Sequence, residues 1–239
     1  MYNIMRPFGF NQSDTKKFAV PNWFSQHWVP DADAKRYWLE QYEKALRGEK
    51  HELPSNCLRM PENELHQLMS KEFWEECPKK FDSILDVGCS DGYMVKVLQE
   101  EGKKAIGIND YLYPTDMLYI SEYELAVIEM DMHCLEFPDN LFDAVWCRHT
   151  LEHSLSPLVV LSEIYRVLKP GGYLFLVLPP VPTSPEPYDG HWHIIPDYQL
   201  RYLLEKCNFD ILKLWTAWFS YKRENDNLEI RSISTKILL

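Results

Sequence analysis

The densest group of chemistry-bearing residues is the stretch Ile84-Leu-Asp-Val-Gly-Cys-Ser-Asp-Gly92. An apolar run ends in an acid, Asp86, and a tight glycine turn, and helix-forming residues follow at once. Glycine takes up positive φ and lets a backbone approach a ligand closely. The crevice beyond the carboxyl ends of parallel strands is where α/β sheets bind their ligands. A dinucleotide site would place G-x-G-x-x-G here to hold a pyrophosphate. The sequence instead has Gly88-Cys-Ser-Asp-Gly92, with one residue between Asp86 and Gly88, which suits a ligand without phosphates. Two histidine clusters lie downstream, Arg148-His-Thr-Leu-Glu-His153 and His191-Trp-His193. Histidine can take a proton near neutral pH, so His149, His191 and His193 are candidate general bases. His149-Thr-Leu-Glu-His153 also spells H-x-x-E-H, a zinc string that needs a long surrounding helix and a third ligand. Here it directly follows a strand, and no metal site is expected.

The elements that must position these residues can be read from periodicity. Short apolar runs at Ser83–Val87, Lys104–Ile108, Leu125–Ile128, Phe142–Cys147 and Tyr173–Leu178 read as buried strands. Amphipathic stretches between them, at Tyr93–Leu98 and near 157–168, read as helices. Strand and helix alternating in this way imply a parallel sheet covered on both faces. After a helix near 197–206 come two strands, roughly 209–220 and 228–237, joined by the polar turn Glu224-Asn-Asp-Asn227. So short a connection demands an antiparallel pair. The first 80 residues differ in texture, with Trp23, Phe24, Trp28, Tyr37, Trp38, Tyr42 and Trp74 set in charged helical patterns. One helix follows Asp31-Ala-Asp-Ala and stops at Gly48. A second opens at Pro61 and ends at Pro78. This divides the chain into a helical cap or arm, 1–80, and an α/β domain, 81–239.

Composition excludes several classes of function. The formal net charge of −11 and the scatter of Lys and Arg leave no basic stripe for phosphates, which argues against a nucleic-acid partner. No apolar run approaches a membrane span, and the N-terminus lacks a basic stretch leading into an apolar segment. A cytoplasmic protein without a membrane partner, monomeric or homodimeric, is expected. The six cysteines show no C-x-x-C spacing, so neither a zinc knuckle nor a redox pair is indicated.

The glycine-turn stretch resembles the D-x-G-x-G-x-G motif of class I S-adenosylmethionine-dependent methyltransferases, with Ser90 in place of the middle glycine. That departure is expected to matter little. The resemblance continues through Asp131-Met132, Phe142-Asp143, Leu151-Glu-His153 and Glu163-Ile-Tyr-Arg-Val-Leu-Lys-Pro-Gly-Gly172, the last two similar to the small-molecule-modifying branch. It implies an α/β, doubly wound, seven-stranded sheet of order 3-2-1-4-5-7-6, in agreement with the C-terminal hairpin read above. It also implies S-adenosyl-L-methionine as cofactor and S-adenosyl-L-homocysteine as product. Asp86 and the turn Gly88, Cys89, Ser90 and Gly92 would meet the methionine end, and Asp131 with the Met132 backbone the adenine. Arg148 would line the cleft. The ribose acid common in the family is here Asn109, with Asp110 next to it. Either can bind the diol, and Asn109 is preferred. The Lys169–Gly172 run is read as structural, stopping a helix and launching the fifth strand.

What the resemblance implies for the acceptor is a small or medium-sized molecule methylated on O or N: a sugar, metabolite or natural-product intermediate. A polymer or lipid-linked acceptor, or a non-catalytic binding module, are the alternatives. Displacement at a sulfonium asks the protein mainly to align the nucleophile, while an alcohol or ammonium acceptor also needs its proton removed. His149 is expected to face the acceptor, and His153 to be a packed core residue. One of His191 and His193 is expected to line the pocket while the other points to solvent. Arg148 could pair with an anionic acceptor or with Glu152. The Pro-rich loop 179–195 is read as a lid or pocket wall, and the N-terminal aromatic helices as the opposite wall, with most of their aromatics packing against the sheet.

Overall fold

The computed structural model of the chain describes residues 36–37, 40–41, 43–44, 47–50, 70–77, 80–179, 191–219 and 227–237. Seven strands form one sheet: β1 (Ser83–Val87), β2 (Lys104–Asn109), β3 (Val127–Glu129), β4 (Phe142–Arg148), β5 (Leu168–Leu178), β6 (Phe209–Phe219) and β7 (Asn227–Lys236). Their order is β3-β2-β1-β4-β5-β7-β6, as expected. The first five run parallel, and β7 lies antiparallel to both β5 and β6. The connections carry helices α1 (Tyr93–Glu100), α2 (Pro114–Glu122), α3 (Pro157–Val167) and α4 (Asp197–Lys206), and a 3-10 turn at Leu151–His153.

The strands read as continuous apolar runs because both faces are covered. Every residue of β5 from Gly172 to Leu178 is buried. Val145, Leu174 and Leu176 face one side and pack with Leu161 and Ile164 of α3 and Leu200 and Leu204 of α4. Ala144, Trp146, Phe175 and Val177 face the other, against Val95 and Leu98 of α1 and against Phe73. Phe73 belongs to the helical segment 70–75, and its ring sits edge-on to Trp146 at 5.3 Å and to Phe175 at 5.7 Å. That segment is the part of the expected second N-terminal helix that is described, and it is bound into the core of the sheet.

Several boundaries differ from expectation. Helix α2 has no counterpart in the sequence reading. Pro114 at its first position and Asp116, which accepts the Tyr113 N–H, start it, but it buries only Pro114, Leu118 and Tyr119 and so leaves little periodicity to detect. Strand β3 is shorter and later than read, since it is an edge strand with Ile128 partly exposed. Strand β5 begins directly after α3, so Lys169–Gly172 lies within it, accommodated by a register shift opposite Phe142 and Ala144. Gly172 is required there: a Cβ would stand 2.9 Å from the Asp143 carbonyl oxygen. Asn227 opens β7 instead of ending a turn. Gly48 ends the first helix as expected, with φ of 68°. Residues 1–35, 51–69, 180–190 and 220–226, including much of the anticipated cap, the pocket loop and the hairpin turn, lie outside the described residues.

Asp143 fastens the amino ends of three neighbouring strands. Its carboxylate accepts the Ser83 N–H and hydroxyl, each at 2.9 Å, and the Lys169 ammonium at 2.6 Å. Burial would raise its pKa, but these donors outweigh it and hold the carboxyl far below the usual range. A depressed carboxylate contributes stability that is present above its unfolded pKa, near 4, and is lost as pH falls below that. Asp143→Asn is therefore expected to lose roughly 1–2 kcal/mol at pH 7 and to flatten the acid limb of the stability profile. Urea unfolding at pH 7 and pH 3 checks both, and an unchanged acid limb would contradict the assignment.

Candidate active site

The polar residues singled out in the sequence converge at the carboxyl ends of the parallel strands. Asp86, the penultimate residue of β1, is 3% exposed. Burial raises its pKa to about 8, and the Asp91 charge adds to this, opposed by Arg148. The turn after it is anchored on β2, since the N–H groups of Gly88 and Cys89 both donate to the Ile108 carbonyl at 2.9 Å. Gly88 has φ of 76°, and a Cβ there would lie 2.2 Å from Thr150 Oγ1, so the Thr150 side chain packs directly on the Gly88 backbone. Cys89 is buried in the core, and its carbonyl accepts the Gly92 N–H. It is placed as scaffold for the turn. Ser90 has φ of 51°, a left-handed conformation that costs a side-chain-bearing residue about 1–2 kcal/mol. Ser90 thus keeps the left-handed conformation that a glycine would adopt without this cost. Gly92 caps α1, and Asp91 accepts the Tyr93 N–H at 3.0 Å.

At the end of β2 the Asn109 amide donates from Nδ2 to the Tyr111 carbonyl at 2.7 Å, so its acceptor Oδ1 is what it can offer a ligand. Asp110 accepts the Tyr111 N–H, and its pKa is raised by desolvation, with Asp131 contributing. Beyond β3, Asp131 Oδ1 accepts both the backbone N–H of His133 at 2.8 Å and its Nδ1–H at 2.7 Å. His133 Nε2 in turn accepts the Leu155 N–H at 3.0 Å, which fixes the tautomer. Asp131 is thereby oriented by a histidine that also ties the β3–β4 loop to the segment after β4. Met132 packs against the core beside it.

At the end of β4 the arrangement was not foreseen. Arg148 donates to Glu229 Oε1 of β7 at 3.2 Å, and its charge also acts on Glu152. His149 Nε2 meets the same oxygen at 3.0 Å. Glu229 is 1% exposed, and Arg231, two residues along β7, donates to its Oε2 at 3.0 Å and also reaches Glu72. Burial would raise the Glu229 pKa, but the His149 hydrogen bond and the charges of Arg148 and Arg231 hold it at about 2. An ionised carboxylate only accepts, so Nε2 of His149 carries the hydrogen and Nδ1 carries the lone pair. Desolvation lowers the His149 pKa despite Glu229, keeping the ring neutral. Its backbone is in the left-handed region, φ 48°, with the N–H bound to the Val177 carbonyl at 2.9 Å.

A second group adjoins it. The Glu152 carbonyl accepts the N–H groups of Trp192 and His193, at 2.9 and 3.1 Å, which pins the 191–193 segment beside the 3-10 turn. His153 is not a packed core residue; its ring lies partly exposed, edge-on to His191 at 4.7 Å. Burial, then the charges of His153 and His149, lower the His191 pKa to about 4. His193, by contrast, is held here through its backbone.

Residues 85–176 match the family described as Methyltransferase domain. Over 96 residues the chain is 34% identical to the sterol 24-C-methyltransferase of Yarrowia lipolytica, covering 37% of this chain and 25% of that protein. Over 100 residues it is 31% identical to the ubiquinone biosynthesis O-methyltransferase of Pseudomonas paraeruginosa, covering 39% and 43%. The alignments thus span less than half the length of these curated relatives. The fold is that of class I methyltransferases. It resembles the phosphoethanolamine N-methyltransferase 2 of Haemonchus contortus, solved in complex with S-adenosyl-L-methionine, with a TM-score of 0.60 at 18% identity over 73% of this chain and 53% of that one. Among the described residues, no helix is long and apolar enough to cross a membrane.

The methyltransferase motifs made Asp86, Gly88, Asp131 and Arg148 visible in the sequence, but they do not include Glu229, Arg231, His133 or Thr150. The signal for the first two was present: Glu229 and Arg231 stand two apart on a strand that the 5-7-6 order makes central, where charge has no solvent to face. The buried state of Asp86 yields a stability prediction for the ligand-free protein. A carboxyl whose folded pKa is raised contributes most below its unfolded pKa, near 4, and progressively less as pH rises towards about 8. Asp86→Asn is expected to remove this slope, so that its stability relative to the parent protein increases from pH 5 to pH 8. Urea unfolding of both proteins at the two pH values reads it; a parent protein that grows more stable than the variant over that range contradicts it.

Proposed function

We propose that the protein transfers a methyl group from S-adenosyl-L-methionine to an oxygen or nitrogen of a small acceptor, releasing S-adenosyl-L-homocysteine. The observation that carries this reading is the buried Asp86 carboxyl at the glycine turn of a methyltransferase domain. A desolvated carboxylate calls for a cation beside it, and the ammonium of a methionine moiety is such a partner. When bound, S-adenosyl-L-methionine supplies a methyl group on a sulfonium, a good leaving group.

The residues have distinct tasks. Asp86 and the Gly88–Gly92 turn hold the methionine end, and Asn109 Oδ1 accepts from the ribose hydroxyls. Asp131, held in orientation by His133, and the Met132 backbone meet the adenine. Arg148, neutralised by Glu229, forms the cleft wall without presenting a net charge. His149 takes the acceptor proton at Nδ1, because Nε2–H is committed to Glu229; the carboxylate then steadies the imidazolium that forms. This is the division of labour by which a carboxylate orients a catalytic histidine. The relatives named above, whose printed names concern a sterol and ubiquinone biosynthesis, support a small-molecule acceptor.

Calorimetric titration with S-adenosyl-L-methionine and S-adenosyl-L-homocysteine tests the cofactor site. Saturable micromolar binding of both is expected, weakened roughly 10- to 150-fold in Asp86→Asn. No binding of either by folded protein would end the proposal. Methyl transfer from labelled cofactor to a panel of phenols, sugars and amines then tests the chemistry. His149→Ala is expected to lower turnover by about 10²–10⁴-fold with cofactor affinity unchanged, and unaltered turnover would remove the base role from His149.

A further inference from the structure

The side chain of Glu152 has no place in the scheme above, yet the structure invests heavily in burying it. The residue is 1% exposed, and neither carboxylate oxygen has a hydrogen-bond partner among the described residues. An unsatisfied buried carboxylate is costly and calls for an explanation. Two imidazoles stand over it. Nε2 of His153 is 3.9 Å and Nε2 of His191 4.0 Å from Oε1, and one potential ligand atom from each of the three residues lies within 4.8 Å of the others. Those separations are too long for direct hydrogen bonds and slightly wider than the roughly 3.4 Å between ligands of a tetrahedral ion bound at about 2.0–2.2 Å, so small side-chain rotations would close the three groups on a common ion. His191 is not brought there by chance: the Glu152 carbonyl holds the Trp192 and His193 N–H groups, so ligand and anchor come from the same residue.

We propose that Glu152, His153 and His191 bind one divalent first-row transition metal ion, with Zn²⁺ the best fit. Two imidazole nitrogens and one carboxylate oxygen are a borderline donor set that favours Zn²⁺ and its neighbours over the oxygen-seeking Mg²⁺ and Ca²⁺. The site supplies the third ligand that the H-x-x-E-H string lacks in the sequence, and it does so from the loop after β5. His149, the first histidine of that string, is bound to Glu229 and is not part of the set. His149 precedes Glu152 by three residues on the segment after β4, so the ion would sit next to the acceptor base. Resting on the methyltransferase reading, this points to an oxygen acceptor, since a hydroxyl bound to such an ion gives up its proton more readily.

The test uses the full chain, stripped with a chelator and titrated with Zn²⁺, Mg²⁺ and Co²⁺. One Zn²⁺ per chain is expected, together with visible d–d bands for Co²⁺ that report nitrogen and oxygen ligation. Glu152→Gln preserves the shape of the buried group, and His191→Ala alters only a loop side chain. Each is expected to weaken Zn²⁺ by more than the roughly 10- to 100-fold that loss of an outer partner costs, with unchanged circular dichroism. Absence of Zn²⁺ binding, full affinity in both variants, or a preference for Mg²⁺ would overturn the proposal. S-adenosyl-L-methionine is titrated into the same samples. Loss of cofactor binding with the ion retained would strike the methyltransferase reading and spare the metal site, and the converse would spare the methyltransferase reading.

Discussion

A carboxylate that is 1% exposed, as Glu229 is, stays ionised only if opposite charge and hydrogen-bond donors replace the water it has lost. Arg148, His149 and Arg231 do this together, and each is fixed in place by doing so. Arg148 and His149 close β4, whereas Glu229 and Arg231 belong to β7, and β5 runs between them. The network therefore spans three strands and joins the parallel half of the sheet to its antiparallel end. Through Arg231 it also reaches Glu72, on the helical segment whose Phe73 seals the aromatic face. Removing one partner would leave a buried charge uncompensated, so the arrangement is cooperative by necessity.

The same network sets the chemical character of the cleft. Two arginines against two carboxylates leave no net charge at the β4 end, and His149 is kept neutral with a defined lone pair. Two of the five non-glycine residues with positive φ among the described residues, Ser90 and His149, lie nearby, on the two segments that meet at Gly88 and Thr150. Such conformations persist only where the surroundings over-determine them. At Ser90 the glycine turn supplies that constraint; at His149 it is the Val177 carbonyl on one side and Glu229 on the other.

Most of the sheet could be read from the sequence because parallel strands buried on both faces are apolar throughout, and because a short polar turn forces an antiparallel pair. The parallel half of the sheet and its antiparallel end followed from those two facts, whereas the strand order came from the family resemblance. Helix α2 escaped because so few of its residues are buried, and the true start of β5 because Lys169–Gly172 reads as a turn while it pairs as a bulged strand. The residues of the glycine turn were visible for a different reason: glycine and aspartate at fixed spacing record a backbone conformation locally. Glu229, Arg231 and His191 carry no such local record. Their partners lie tens of residues away, and only the folded sheet brings them together.

The position of β7 has a consequence in time. The last strand in the chain is not at the sheet's edge but between β5 and β6, pairing Tyr173–Leu178 along its length. Until it is made, the most apolar strand of the protein, Tyr-Leu-Phe-Leu-Val-Leu, has one unpaired edge. At a synthesis rate of roughly 5–20 residues per second, that edge waits for several seconds. An open apolar edge is a template for pairing with another chain. The nascent protein is thus most exposed to aggregation while β7 is still to be made, and the arrival of β7 removes that hazard and delivers Glu229 to His149 in a single step.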